Sequence, residues 1–159
     1  MSRGPTNERS WTFILVGIAL LLTLISVIRT GPAKPPAPPP VPQLTPAMVP
    51  LISGEESVPR MFNKAGCPVC HTIPGVQGAE GRVGPKLVLG TNGPKRLADP
   101  NYHGTAKTVR EYIIESILKP GAYVVPGYPP GAMPKWYGEK ISAGALESIA
   151  NYLESQKED

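Results

Sequence analysis

Both cysteines of the chain and one of its two histidines fall within five residues, Cys67-Pro68-Val69-Cys70-His71. Thiols two apart followed at once by an imidazole form the attachment pattern of a c-type haem. The sulfurs add to the vinyl groups and the ring binds iron from below. Two other chemistries use C-x-x-C. A thioredoxin-like redox pair sits at the mouth of a helix after a strand, and no Val/Ile-rich strand precedes Lys64-Ala65-Gly66. A zinc knuckle needs two further ligands at short spacing, and beyond these residues the chain has only His103. The expectation is therefore one covalent haem c, held by Cys67 and Cys70, with His71 as an axial ligand.

A second axial ligand decides what such an iron does. The candidates are Met133, His103, Met61 and Met48. Met48 lies in a proline-rich stretch, and Met61 is on the helix that enters the motif, on the wrong side of the ring to reach across. His103 lies in the polar turn Asp99-Pro100-Asn101-Tyr102-His103-Gly104. Met133 lies between Gly131 and Pro134 in a loop of restricted flexibility and is the leading candidate, with bis-histidine ligation through His103 and an open site as alternatives. A thioether favours ferrous iron relative to a second imidazole and closes the metal to oxygen and peroxide. Trp136, Tyr128 and Tyr123 are candidates to line the distal side or to reach a haem propionate, with ordinary loop packing equally open.

The elements that must position these groups read as helices separated by glycine-rich chain. Ser57 or Ser53 begins a helix with Pro59 in its first turn and Met61, Phe62 and Ala65 on one side, and Gly66 ends it. The span 76–93 reads as a loop wrapping a flat ligand. Within it, Gly84-Pro85 is placed to present a carbonyl to the Nδ1 proton of the axial imidazole. Thr105 or Thr108 starts a helix carrying Val109, Tyr112, Ile113, Ile117 and Leu118, which Lys119-Pro120-Gly121 stops. Ser142 caps a last helix running to about Gln156, with Leu146, Ile149, Tyr152 and Leu153 at helical spacing. No strand pattern is convincing, so the fold class is all-α.

Two segments precede this domain. Trp11 to Ile28 is eighteen residues without a charge, roughly 27 Å as a helix and close to a hydrocarbon core of ~30 Å. A retained single-pass anchor is expected there in preference to a cleaved leader. Between Gly31 and Pro50 there are nine prolines in twenty residues, a composition that favours a stiff polyproline II stalk. The expected organisation is an anchor over 1–30, a linker over 31–54 and a haem domain over 55–159. Haem c attachment outside the bacterial cytoplasmic membrane would leave the N-terminus cytoplasmic and the haem domain periplasmic.

The 159 residues carry a net charge of +4 and a pI near 9.1, but from Glu55 onward twelve Lys/Arg face eleven acids. This balance gives no case for nucleic acid. The excess is local: Arg60, Lys64, Arg82, Lys86, Lys95 and Arg96 face only Glu80 between 60 and 96. That is either a docking field for an acidic redox partner or a solvated face.

Over roughly Glu55 to Gln156 the chain resembles class I cytochrome c. The resemblance rests on Cys67-Pro68-Val69-Cys70-His71, Gly84-Pro85-Lys86-Leu87, Met133 before Pro134, and Ile149-Ala150-Asn151-Tyr152-Leu153 in the last helix. It implies the small glycine-looped haem fold, with Gly84, Pro85, Leu87, Tyr128 and Trp136 around the cofactor beside Cys67, Cys70, His71 and Met133. It also implies that the Pro85 carbonyl supports His71 and that Phe62 packs near Tyr152 and Ile149. More narrowly, Tyr112 to Ile117 and Val125 to Pro134 look like the cytochrome domains fused to haem-copper oxidase subunit II and the monohaem subunits of alternative complex III. The chain lacks the residues of a copper-site domain. The resemblance implies an electron-transfer subunit and not an enzyme, with partners among membrane-complex subunits, a soluble periplasmic electron carrier and, through residues 11–28, the lipid bilayer. A ligand-binding haem enzyme or sensor, or a mainly structural haem subunit, are the alternatives.

Overall fold

The computed structural model describes residues 7–29 and 43–158. The chain divides into two compact units, Met1–Pro39 and Pro40–Asp159. Most of the proline-rich tract, and with it the expected polyproline stalk, lies outside the described residues.

The first unit contains one helix, α1 (Asn7–Arg29). Its described side chains, Trp11 to Ser26, are all exposed. Among the described residues no helix is long and apolar enough to cross a membrane. This corrects the expectation of a transmembrane helix ahead of the fold. The bilayer contact through residues 11–28 and the single-pass localisation in the bacterial cytoplasmic membrane are withdrawn with it.

The second unit is all-helical, with α2 (Val58–Ala65), α3 (Leu89–Leu97), α4 (Val109–Leu118) and α5 (Ala143–Ser155) joined by irregular chain and short 3₁₀ turns. Among the described residues there is no strand, only isolated bridges pairing Ile52 with Ile141 and Thr72 with Glu80. The helix α5 packs against α2, α3 and α4. It does so because Ala145, Leu146, Ile149, Ala150 and Leu153 recur at helical spacing and are all buried. Phe62 of α2 meets Tyr152 of α5 edge-on, with ring centroids 5.4 Å apart. Burying an aromatic side chain of this kind contributes roughly 1.5–3 kcal/mol.

Local signals fix the helix ends. Thr108 and Glu111 close a capping box at the start of α4. Ser142 Oγ accepts from the Ala145 amide at the start of α5. Gly66 ends α2 in the left-handed region at φ 76°. The helix α3 departs from the reading of 76–93 as loop throughout, since it starts at Leu89 and contains Gly90, Gly93 and Pro94. Tertiary packing forms it against propensity. A Cβ on Gly90 would lie 2.6 Å from the Glu154 carbonyl oxygen, and one on Gly93 would lie 2.6 Å from Val109 Cγ1. The glycines are what let α3 close on α5 and α4.

Val49 and Ile52 are buried with the core. Ile52 donates to the Lys140 carbonyl at 2.8 Å and accepts from Ser142 N at 2.9 Å. The end of the proline-rich segment therefore packs as part of the second unit.

Candidate haem-binding site

One tight turn presents the three residues of the motif. After Gly66, the 3₁₀ turn Cys67–Val69 lets Cys67 O accept from Cys70 N at 3.2 Å and from His71 N at 3.0 Å. Pro68 suits the turn because its φ is already set and no donor is lost there. The segment 81–87 is laced back onto it. Gly84 N donates to Cys70 O at 2.8 Å and Leu87 N to Thr72 O at 2.9 Å, and Thr72 Oγ1 donates to Gly81 O at 3.0 Å.

This lacing sets Pro85 O 2.8 Å from His71 Nδ1. A carbonyl only accepts, so Nδ1 carries the proton and Nε2 keeps its lone pair. His71 lines a cavity. Burial holds the imidazole below its ordinary pKa. The Pro85 bond opposes that shift and nearby Arg96 adds to it. Glycine is required at 84 because a Cβ there would stand 2.4 Å from His71 Cε1.

Burial pushes the Cys67 thiol up to about 12 and also raises Cys70. A thioredoxin-type pair needs the opposite shift, so that chemistry is disfavoured. The cysteines are not joined in a disulfide. Among the described residues no three Cys, His, Asp or Glu side chains gather at one point, which leaves a zinc knuckle without its further ligands.

The cavity has about 1030 Å³ of empty volume counting its open mouth. Its walls are apolar, from Phe62 and Leu89 to Ile113, Ile149 and Leu153. His71, Gly84, Pro85, Leu87, Tyr128 and Met133 all line it. Met133 is half-buried and packs on the core, on a loop whose Gly131 has φ 74°. Cys67 also lines the cavity, and Cys70 opens onto an adjoining recess shared with His71 and Met133. Trp136 is not among the lining residues; it packs on Tyr137 at 4.7 Å between centroids. His103 is exposed and away from the cavity. Met61 is 2% exposed within the core and Met48 is 65% exposed, and neither lines the cavity.

Several lining residues were not read from the sequence as part of the pocket: Tyr112, Arg96, Tyr137 and Leu44. Tyr112 counted as part of an apolar helix face, and that face is the cavity wall. Arg96 sits against it, with its guanidinium carbon 6.0 Å from the Tyr112 ring centre. Tyr137 follows Trp136 directly and donates to Ala65 O at 3.2 Å, so the doublet Trp136-Tyr137 was the available signal. Comparison with family models, curated proteins and solved structures gave no match.

Proposed function

We propose that this chain carries single electrons through one covalently bound c-type haem, exchanging them with protein partners of a respiratory or photosynthetic chain. The observation that carries the reading is the pairing of His71, its Nδ1 tied to Pro85 O at 2.8 Å, with Met133 on the lining of one apolar cavity beside Cys67.

The residues present fit the group. Cys67 and Cys70 supply two thiols for thioether bonds, His71 Nε2 a nitrogen ligand and Met133 a soft sulfur ligand. The close approach at Gly84 leaves no room for a side chain between segment 81–87 and the imidazole. When bound, the haem supplies an iron that cycles between ferric and ferrous states. The chain's own part would be to orient the imidazole through Pro85, to surround the group with apolar walls, and to offer the Met133 thioether as a further ligand to the iron. Filled ligation favours electron exchange over oxygen or peroxide chemistry. Lys86, Lys95 and Arg96 line a surface crevice beside Pro85 and Tyr128 together with Asp99 and Glu158, and with three cations against two acids the partner face is read there as acidic. Lys64 adds little to that field, since Glu56 neutralises it.

The test is production of the full chain together with a c-type haem attachment system. One haem per chain that survives denaturation is expected, and none in a Cys67→Ala/Cys70→Ala variant. A parent chain that takes up no covalent haem overturns the reading.

A further inference from the structure

The segment 43–53 does more than lead into the domain. Ile52 and Ser53 pin its end: Ile52 bridges to Ile141 and Ser53 O accepts from Ser142 Oγ at 2.6 Å. Val49 is 2% exposed, and Met48 N closes a turn onto Thr45 O at 3.0 Å. From this anchored strap Leu44 reaches back, half-buried, to the C-terminus of α2. A Cβ on Gly66 would lie 3.1 Å from Leu44 Cδ1, so the glycine that the left-handed turn demands also makes room for this leucine. Leu44 shares with Cys70, His71, Met133 and Tyr137 the recess that opens at the cysteine edge of the cavity.

We infer that Leu44 is the plug of that edge, an apolar side chain delivered by the strap to keep water away from the thioether side of the haem and so raise its reduction potential. The inference rests on the haem reading and adds a residue to it. Solvent exposure is one of the levers that set a haem potential, and the other walls at this corner, Tyr137 and Met133, are already committed to the core. The strap is thus the piece through which the edge is opened or closed.

The experiment is a graded series at Leu44 in the full, haem-loaded chain, read by potentiometry and by the rate of reduction with ascorbate. Leu44→Ser is expected to lower the potential and, by giving ascorbate access to the opened edge, to speed reduction in spite of the smaller driving force, while the methionine–iron charge-transfer band stays. Leu44→Val, which removes one methylene and keeps the side chain apolar, should move both readings the same way by less, and Leu44→Met should match the parent. Unchanged potential and rate in Leu44→Ser and Leu44→Val overturn the inference, as does an equal change in Leu44→Met. If the parent chain takes up no haem, the haem reading has failed by itself. The strap is then judged by iodoacetamide labelling of Cys67, expected to be slow in the parent and faster in Leu44→Ser and Leu44→Val. Equal labelling rates overturn it.

Discussion

His71 Nδ1 and Pro85 O stand 2.8 Å apart across fourteen residues of chain, and Gly84 lies against the ring so closely that any side chain would enter the imidazole. The orientation of the ring is therefore set from the 81–87 segment and not from the motif alone. Gly84→Ala should push the ring off its carbonyl, and changes of this outer-shell kind cost about 10–100-fold in metal affinity or activity. Holoprotein yield and the Soret spectrum of the variant measure it. Gly121→Ala is the control, since nothing lies within 4 Å of a Cβ there, and it should match the parent in both.

Among the described residues Met133 is the one thioether on the cavity lining, and His103 is exposed away from it. Met133→Ala should let the reduced protein bind carbon monoxide quickly and in equal amount, and should lower the potential by removing a ligand that favours ferrous iron. His103→Ala should change neither. Carbon monoxide difference spectra and potentiometry on the two variants separate the closed site from the open-site and bis-histidine alternatives.

How much of this was legible depends on whether a residue acts through local or distant neighbours. The capped helix starts at Thr108 and Ser142 and the stop at Gly66 are local chemistry, and they are readable because the partner groups sit within three or four residues. The helix α3 was missed for the opposite reason. Gly90, Gly93 and Pro94 are poor helix formers, and only close packing against Glu154, Gln156 and Val109 makes glycine the residue that fits. The cavity wall at Tyr112 was hidden in the same way, since a stripe at helical spacing does not say whether it faces other side chains or a ligand. Leu44 was hidden by composition, because a proline-rich stretch suggests solvated chain while Val49 and Ile52 bury it against the domain. The eighteen uncharged residues from Trp11 to Ile28 pointed to a span that the described part of α1 does not support.

Phe62 is 1% exposed and joins α2 to α5 through Tyr152. Phe62→Ala removes the largest wholly buried side chain of the domain. It should cost about 3–5 kcal/mol, of which the edge-to-face pair accounts for about 0.5–1.5 kcal/mol. Chemical denaturation of the holoprotein checks the total, and a loss below about 1 kcal/mol would show that Phe62 is not the joint between the helices.

Lys86, Lys95 and Arg96 surround the crevice beside Pro85. Association with an acidic carrier should slow as salt rises, because the Debye length falls from about 10 Å at 0.1 M to about 3 Å at 1 M. A Lys86→Glu/Lys95→Glu variant should be slower at low salt and less sensitive to salt. Stopped-flow electron transfer to an acidic partner reads both, and a salt-independent rate in the parent would remove this face from docking.

Glu115, in the second half of α4, ties that helix to the loop before it. Its carboxylate accepts from the Tyr102 hydroxyl, from Thr105 N at 2.7 Å and from Thr105 Oγ1 at 2.8 Å. Burial alone would raise its pKa, but these hydrogen bonds outweigh burial and hold it below the usual glutamate value. A carboxylate depressed in the folded state gives stability that is complete above its unfolded pKa and lost as pH falls through the folded one. Tyr102, pushed up to about 12 by burial and by Glu115, acts at the other limit, where its share is lost as pH rises from about 10 toward 12. Glu115→Gln should therefore destabilise the protein at neutral pH and flatten the acid limb, so that its denaturation midpoint approaches the parent's as pH falls below the glutamate range. Denaturant midpoints measured for both proteins across that range decide it, and parallel acid limbs would show that Glu115 is not the group that titrates.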